Sequence, residues 1–385
     1  MIPYGRQDIS EEDVAAVCAV LRSDFLTQGP AIERFERKVA EHCGVRRAVA
    51  VSNATAALHI ACLALDLGPG DVAWTSPNTF VASANCARYC GADVDFVDID
   101  PVSWNLSPAL LEQRLAVAAG QGKLPKVLVP VHFSGQSCDM EAIGQLARKY
   151  GVAVIEDASH AIGARFGEAA VGSCQHSDCA VFSFHPVKIV TTGEGGVIVT
   201  NRDDLAARLQ RLRSHGITRD ARLMAEHNPG PWHYEQIELG YNYRMTDIQA
   251  ALGASQMSRL EAFVGRRRDL AARYDTLLAD LPLQLPVQDP RAQSSWHLYV
   301  VRLRLDQIGR SHREVFDALR GAGIGVNLHY IPVHLQPYYR ALGFAPGHCP
   351  EAERYHGEAI SLPLYPGLSE RDQDYIAATL RQLIA

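Results

Sequence analysis

One lysine of the chain has a setting in which its amine could act as a nucleophile. Lys188 comes directly after the segment 183–187, at the exit of an apolar stretch that is predicted to be a strand. Partial desolvation at such a place lowers the pKa of a lysine and frees the amine for Schiff-base chemistry with a carbonyl compound. Most lysines are solvated surface residues, so Lys188 alone does not establish a site.

Two consecutive carboxylates end another apolar segment. Glu156 and Asp157 follow the predicted strand 152–155 and precede Ser159 and His160. Two charges at this place cannot both be buried cheaply unless each has a partner, and a protonated ring nitrogen of a bound molecule would be one. A solvated aspartate that caps the next turn is the alternative reading of the same residues.

A polar turn follows the first predicted strand and opens a helix. Ser52, Asn53 and Thr55 stand at this turn, and the helix is predicted over 54–67. Backbone N–H groups at a helix N-terminus, with hydroxyl groups beside them, bind anions such as phosphate. An ordinary N-cap by Ser52 or Asn53 explains the same residues. Because this turn contains no glycine, we reject a dinucleotide-binding dehydrogenase.

A polar, aromatic loop over 239–247 carries Asn242 between two tyrosines and precedes a long polar helix that is predicted across about 246–280. Thr246 could simply be the N-cap of that helix. The glycines of segment 193–196, after Lys188, would let the backbone pass close to a bound ring. Each of these four signals is weak alone, but their order and spacing together are specific.

The elements that must position these residues follow a β-then-α rhythm from residue 46 onward. Before it, Ser10 and Asp13 form a capping-box pattern that opens a helix over 10–22. The predicted strands lie at 48–51, 72–75, 94–97, 127–132 and 152–155, with helices such as 54–67 and 140–150 between them. This rhythm predicts a mainly parallel sheet covered by helices, with sites at the carboxyl ends of its strands.

The rhythm changes in the second half of the chain. Segments 179–184 and 196–200 are predicted strands joined by a loop that is too short for a crossover helix. The pair is therefore antiparallel, or the second strand lies elsewhere in the sheet. Further on, a strand over 297–305 and a helix over 311–322 predict a smaller α+β domain.

The bulk properties exclude several classes of protein. At 385 residues the chain exceeds one ordinary core, which predicts a large domain and a smaller one. Lys plus Arg (37) fall short of Asp plus Glu (43), and the net charge of −6 argues against non-specific nucleic-acid binding. No apolar run of about 18 residues occurs, so we expect no membrane span. The nine cysteines lack disulfide or metal-site spacing, and the N-terminal segment is not apolar, which favours a cytoplasmic location.

Four motifs together resemble a known family, the DegT/DnrJ/EryC1/StrS nucleotide-sugar aminotransferases. The motifs are S-N-A-T-A-A-L at 52–58, E-D-A-S-H-A-I-G-A at 156–164, F-S-F-H-P-V-K-I-V-T-T-G-E-G-G at 182–196 and G-Y-N-Y-R-M-T-D-I-Q-A-A-L-G at 240–253. The resemblance covers nearly the whole chain. It implies the α/β fold type I of pyridoxal-phosphate (PLP) transferases, which is like aspartate aminotransferase. A large PLP-binding domain with an N-terminal arm would span 1–250, and a small C-terminal α+β domain would span 251–385.

The resemblance also implies residue roles. Lys188 would bond to PLP and move the proton at the substrate carbon, and Asp157 would pair with the pyridine nitrogen. Further cofactor contacts would be Thr55, Ala56, Phe80, His160, Ser183 and, from the other subunit of a homodimer, Asn242. Substrate contacts would be Tyr4, Thr27, Gln28, Gly29, Asn327, His329 and Tyr330. Phe80 as a core residue and His160 as a structural histidine remain alternatives, and no metal site is expected.

Within the family, the H-P-V-K and T-T-G-E-G-G sequences and an early L-T-Q-G are most similar to the transaminases of pseudaminic acid biosynthesis. This similarity implies that L-glutamate donates its amino group to C4 of UDP-2-acetamido-2,6-dideoxy-β-L-arabino-hex-4-ulose. The alternatives are another nucleotide-linked keto-sugar, aminated at C3 or C4, and a non-catalytic regulator that binds PLP or a sugar nucleotide. Related dehydratases replace the Schiff-base lysine with histidine, and Lys188 argues against that chemistry.

Overall fold

The computed structural model describes residues 1–225 and 230–384 of the chain. Its strands are β1 (Arg47–Val51), β2 (Val72–Thr75), β3 (Asp93–Phe96), β4 (Val127–Val129), β5 (Ala153–Asp157), β6 (Arg165–Phe166), β7 (Ala169–Ala170), β8 (Cys179–Ser183), β9 (Gly196–Thr200), β10 (Ile217–Thr218), β11 (Glu235–Gln236), β12 (Leu283–Gln284), β13 (Ala292–Gln293), β14 (Tyr299–Leu303) and β15 (Ala359–Leu362). Its helices are α1 (Glu11–Leu21), α2 (Pro30–Cys43), α3 (Ala54–Ala64), α4 (Ala82–Tyr89), α5 (Pro108–Gln121), α6 (Met140–Tyr150), α7 (Asp203–Leu212), α8 (Asp247–Met257), α9 (Leu260–Leu278), α10 (His312–Gly321), α11 (Pro337–Ala341), α12 (Pro350–Glu358) and α13 (Glu370–Ile384).

Seven strands form the central sheet in the order β1-β9-β8-β5-β4-β2-β3. β9 runs antiparallel to both of its neighbours, whereas all the other adjacent pairs are parallel. The predicted mainly parallel sheet is therefore confirmed, and so is the antiparallel pairing of the strands on either side of Lys188. Successive side chains of β8 enter different cores, because a strand alternates its faces. Val181 packs with α3 and α4, and Phe182 packs with α2 and α8.

A second hydrophobic core forms around the three-stranded antiparallel sheet β12-β14-β15. α9, α10 and α13 pack on it through residues such as Tyr274, Val315 and Ile376. The predicted fold class, a large mainly parallel sheet with a smaller α+β part, is confirmed. The beginning of α9, at Leu260, packs in the core of the large sheet, and its later residues pack in the second core. A domain boundary at 250/251 stays a prediction.

The chain has two helices where the sequence predicts one across about 246–280. α8 ends at Met257 and α9 begins at Leu260, with a turn at Ser258 and Arg259. The Arg259 guanidinium forms ion pairs of 2.6 Å with Asp8 and with Asp13, which opens α1. These tertiary contacts fix the turn although neither glycine nor proline marks it, so helix propensity alone gives the wrong result here.

Two features are absent from residues 1–225 and 230–384. No helix in these ranges is at once long enough and apolar enough to cross a membrane. In the same ranges, no group of three or more His, Cys, Asp or Glu side chains could hold a metal ion. All nine cysteines are free thiols.

Gly196 generates a prediction about stability. A Cβ at this residue would lie 2.6 Å from the carbonyl carbon of Asn53 and 2.7 Å from the nitrogen of Ala54. Backbone atoms cannot move aside as a flexible side chain can. We expect Gly196→Ala to lower the free energy of unfolding by about 2 kcal/mol, measured as a lower thermal midpoint.

Gly265→Ala is the matched control for this variant. Gly265 lies inside α9, where an added Cβ would meet nothing within 4 Å. Alanine is the better helix former there, so this variant should gain up to about 1 kcal/mol. Equal thermal midpoints for the two variants would show that the close approach at Gly196 does not limit stability.

Candidate active site

A cavity of about 900 Å³ opens at the carboxyl ends of β5 and β8. Its volume is within the range of small-molecule sites, and its position is the one expected for a parallel sheet. Most of the predicted site residues line it, namely Tyr4, Thr55, Ala56, Phe80, Asp157, His160, Ser183, Lys188, Asn327, His329 and Tyr330. The structure therefore brings together side chains of all four motifs, the last of them through Tyr243, and of the predicted substrate segment 327–330.

Lys188 stands on a turn just after β8, half-buried against the cavity. Its backbone N–H donates to the carbonyl of His185 at 2.8 Å, which closes the turn. Burial lowers the pKa of the Lys188 amine to about 8, although the charge of Asp157 acts in the opposite direction. Because this pKa lies about one unit above neutral pH, about a tenth of the amine is unprotonated there and able to attack a carbonyl carbon.

The two consecutive carboxylates have separate partners, because neighbouring residues in a strand point to opposite faces. Asp157 is 4% exposed and faces the cavity. Its Oδ2 accepts a hydrogen bond of 2.5 Å from the Ser83 hydroxyl, and its Oδ1 accepts one of 3.1 Å from the N–H of Ser159. Glu156 points away and is 2.8 Å from Nε2 of His132. The partners of Asp157 are neutral, so this carboxylate is suited to a cationic group of a ligand.

Hydroxyl groups mark another part of the cavity. Thr55 and Ala56 begin α3, and Ser183 ends β8. Asn53 is the N-cap of α3, and its Oδ1 accepts a hydrogen bond of 2.8 Å from the N–H of Ala56. The N–H of Ala56, a residue that the family resemblance implies as a cofactor contact, is therefore engaged by this cap. The hydroxyls of Thr55 and Ser183 are the anion-binding groups that the cavity offers here.

Neutral imidazoles and a tyrosine form the opposite wall. His160 Nε2 lies 3.0 Å from the hydroxyl of Tyr330, and His329 Nδ1 lies 2.8 Å from the hydroxyl of Ser361. Burial, aided by the positive charge of Lys188, lowers the pKa of His160 well below its usual range and that of His329 to about 3. Both rings are therefore uncharged hydrogen-bonding groups at neutral pH.

The rim of the cavity is aromatic. Phe80 lines it and is 58% exposed, so the alternative of a core residue is wrong. Its ring lies 6.4 Å from that of Tyr330. Tyr4 is brought to the rim by the N-terminal arm, whose Ile2 exchanges backbone hydrogen bonds with the segment 323–325. An exposed aromatic ring on a cavity wall can pack against a planar ligand ring.

His297 is a cavity residue that the sequence does not identify. It is buried, lines the cavity, and its ring centroid lies 4.4 Å from that of His160. Burial, together with the nearby His160 and Lys188, lowers its pKa well below the usual range. The only sequence signal is a polar residue at the start of a predicted strand. His59 and Tyr243 also line the cavity without having been predicted.

Four predicted site residues lie outside the cavity. Thr27 and Gln28 are exposed, and the Gly29 N–H donates to the Asp247 carboxylate at 2.7 Å, which fastens this segment to α8. Asn242 is exposed on the loop before α8. A role for these residues in a site stays a prediction, which for Asn242 requires a second copy of the chain.

Comparisons with known proteins agree on one family. The profile of the DegT/DnrJ/EryC1/StrS aminotransferase family matches residues 7–381. The spore coat polysaccharide biosynthesis protein SpsC of Bacillus subtilis is 38% identical over 100% of this chain and 97% of that protein. The PMP-form of the putative sugar aminotransferase Spr1654 from Streptococcus pneumoniae has a TM-score of 0.90 at 31% identity, covering 100% and 99% of the two chains. Helicobacter pylori PseC, an aminotransferase involved in the biosynthesis of pseudoaminic acid, has a TM-score of 0.90 at 29% identity, with the same coverage.

The residues of the cavity fit PLP. Its carbonyl group needs an amine, which Lys188 provides in a partly unprotonated form. Its ring nitrogen needs a buried anion, and Asp157 is one whose partners in this structure are a hydroxyl and a backbone N–H. Its phosphate needs hydroxyl donors, which Thr55 and Ser183 supply.

The charge of Asp157 generates a prediction about Lys188. Because a nearby carboxylate favours the ammonium form, Asp157→Asn should lower the pKa of Lys188 below its value of about 8. The measurement is the pH dependence of acylation at Lys188 in the PLP-free protein, followed by peptide mass spectrometry. Asp306→Asn changes an exposed carboxylate outside the cavity and should leave the midpoint unaltered. An unchanged or higher midpoint in Asp157→Asn would contradict the coupling.

Proposed function

Because this chain belongs to the DegT/DnrJ/EryC1/StrS aminotransferase family of PLP-dependent sugar aminotransferases, we propose that it aminates a nucleotide-linked keto-sugar. The proposed acceptor is UDP-2-acetamido-2,6-dideoxy-β-L-arabino-hex-4-ulose, aminated at C4, and the proposed donor is L-glutamate. Full-length similarity to PseC and the sequence of segment 182–196 support this acceptor. Identity of 38% to SpsC, a polysaccharide biosynthesis protein, supports a second candidate, a different nucleotide-linked keto-sugar aminated at C3 or C4.

The observation that carries the proposal is the meeting of Lys188 and Asp157 in one cavity. When bound, PLP supplies a carbonyl carbon that takes up the amino group and a ring that accepts electrons from the reacting carbon. Asp157 would hold the ring nitrogen in its charged form. A pKa of about 8 lets Nζ of Lys188 take a proton from the substrate carbon and return it close to neutral pH.

The other cavity residues orient the reactants. Thr55 and Ser183 would bind the cofactor phosphate, and the ring of Phe80 would cover one face of the cofactor. Asn327 and Tyr330 lie on the wall where we place the sugar. Because the histidines of that wall are neutral, they can exchange hydrogen bonds with sugar hydroxyls without competing with Lys188 for the proton.

We further propose that the active enzyme is a homodimer that shares its sites. Asn242 is exposed beside Leu239, a large apolar side chain that is 76% exposed. Trp232, in the same connection between α7 and α8, is also exposed. Exposed apolar residues in one segment are typical of an interface. A second copy seated there would receive Asn242 at the phosphate-binding part of its own cavity.

The half-reaction with L-glutamate tests the activity. The purified protein should carry an absorbance band of bound PLP, and L-glutamate should convert it to the pyridoxamine-phosphate spectrum with release of 2-oxoglutarate. Lys188→Ala should slow this conversion by about 10³-fold or more, because it removes the base. Lys149→Ala, at an exposed lysine of α6, should react like the unaltered protein. A protein that cannot be loaded with PLP would refute the proposal.

The glutamate-treated protein also tests the acceptor. Mixed with the proposed UDP-4-keto-sugar, it should regain the PLP band and yield the 4-amino sugar nucleotide by mass spectrometry. Keto-sugars with the carbonyl at C3 serve as the comparison. Faster turnover of a C3 ketone would replace the proposed acceptor by the second candidate.

Complementation tests the shared site. Asn242→Ala and Lys188→Ala proteins should each have low activity as homodimers. If Asn242 acts across the interface, a mixed dimer contains one cavity with both residues intact, and mixing the unfolded variants and refolding them should restore activity. The control mixes Lys188→Ala with Asp157→Asn, whose residues share one cavity, and this mixture should stay inactive. Equal behaviour of the two mixtures would contradict a shared site.

A further inference from the structure

Three cysteines meet between α3 and α4, behind the cavity wall. Cys62 lies on α3, while Cys86 and Cys90 are four residues apart on one face of α4 and at its C-cap. All three belong to the same buried core, and the thiol of Cys62 shares hydrogen bonds with both of the others. The reaction proposed above uses none of these thiols.

His59 makes one thiol of the cluster different from the others. It lies on α3, three residues before Cys62 and therefore on the same helix face. Nδ1 of His59 lies 3.2 Å from the hydroxyl of Tyr243. Its Nε2 is buried with no partner at normal hydrogen-bond geometry, and the imidazole interacts with the thiol of Cys90. The thiol of Cys90 donates to the backbone carbonyl of His59 at 3.8 Å, which places this sulfur against α3, one turn before Cys62.

The neighbouring thiol of Cys62, together with the His59 imidazole, lowers the pKa of Cys90 against the effect of burial. The pKa of Cys62 is raised well above its usual range by its bonds to the two neighbouring thiols and by burial. Within the cluster, Cys90 is therefore the thiol that loses its proton more readily, and Cys62 is the one that keeps it. Cys90 is 8% exposed whereas Cys62 and Cys86 are fully buried, and its neighbours His59 and Tyr89 line the cavity.

We propose that Cys90 and Cys62 form an oxidative modification site that hydrogen peroxide converts to a disulfide between α3 and α4. Sulfur of Cys90 attacks the peroxide; an S–O bond forms, the O–O bond breaks, and water leaves after taking up a proton. Cys90 is then a sulfenic acid, oxidised by two electrons. Sulfur of Cys62 attacks it, the S–S bond forms, the S–O bond breaks, and the thiol proton leaves with the second water.

The other buried thiols of the described chain lack this combination. Burial raises the pKa of Cys349 and of Cys179, which keeps both in the protonated, unreactive form. Cys18 is more exposed than Cys90, but it lies on α1, apart from the cluster between α3 and α4. Exposure alone would therefore direct oxidation to Cys18, and the cluster geometry directs it to Cys90.

Peroxide titration of the full-length PLP-loaded protein tests the proposal. Hydrogen peroxide should remove two hydrogens from the protein mass, and peptide mapping should find a Cys62–Cys90 disulfide that dithiothreitol reverses. Cys90→Ala should abolish this product completely. Cys349→Ala, at a buried cysteine outside the cluster, is the matched control and should leave it unchanged.

Cys62→Ala separates the two steps. Without the second thiol, oxidation should stop at Cys90, where dimedone captures the sulfenic acid, and circular dichroism confirms that the variant is folded. A disulfide between Cys62 and Cys86, or first oxidation at Cys18, would overturn the assignment. So would unaltered cluster thiols in the unsubstituted protein after peroxide treatment, whatever its aminotransferase activity.

Discussion

Two opposing effects set the pKa of Lys188, namely burial of its amine and the charge of Asp157. The chemistry that the cavity can perform depends on the balance between them. Burial lowers the pKa of the Lys188 amine, whereas the carboxylate of Asp157 raises it by favouring the ammonium form. The balance leaves a pKa of about 8, compared with about 10.4 for a solvated lysine. Both forms of the amine are then populated near neutral pH, which a group that takes up and returns a proton requires. The hydroxyl of Ser83 fixes the carboxylate that sets this balance.

The topology of the sheet brings Asp157 and Lys188 close enough for this balance. β5 and β8 are parallel neighbours, so Asp157 and Ser183 end at the same edge of the sheet. β9 then returns antiparallel along β8, and the connection between these strands carries Lys188 back over that edge. At the start of β9, Gly196 passes against the backbone that opens α3. The connection between β8 and β9, which contains no crossover helix, therefore places the amine of Lys188 at the cavity. It also closes the cavity wall beside the hydroxyl groups of Thr55 and Ser183.

How far the sequence predicts the site depends on the distance along the chain between a residue and its strand end. Asp157 ends β5 and Lys188 stands on the turn after β8, so the rule for parallel sheets places both at the carboxyl edge of the sheet. Asn327, His329 and Tyr330 lie on an irregular segment beside β15 and were predictable only through the family resemblance. His297 was not predictable, because its place depends on how β14 packs beside the cavity. The turn at Arg259 was missed for a related reason, since ion pairs with distant residues fix it.

The neutral histidines follow from the same constraint as the reactive lysine. A protonated ring at His160 or His329 would repel the ammonium form of Lys188 and lower the pKa of that amine further. The positive charge of Lys188 in turn opposes protonation of both rings, in addition to burial. The amine is therefore the group that titrates near neutral pH, while the rings remain uncharged hydrogen-bonding partners such as the one that meets Tyr330. Burial in one small volume thus leaves Lys188 partly unprotonated and keeps the rings of His160 and His329 polar and uncharged.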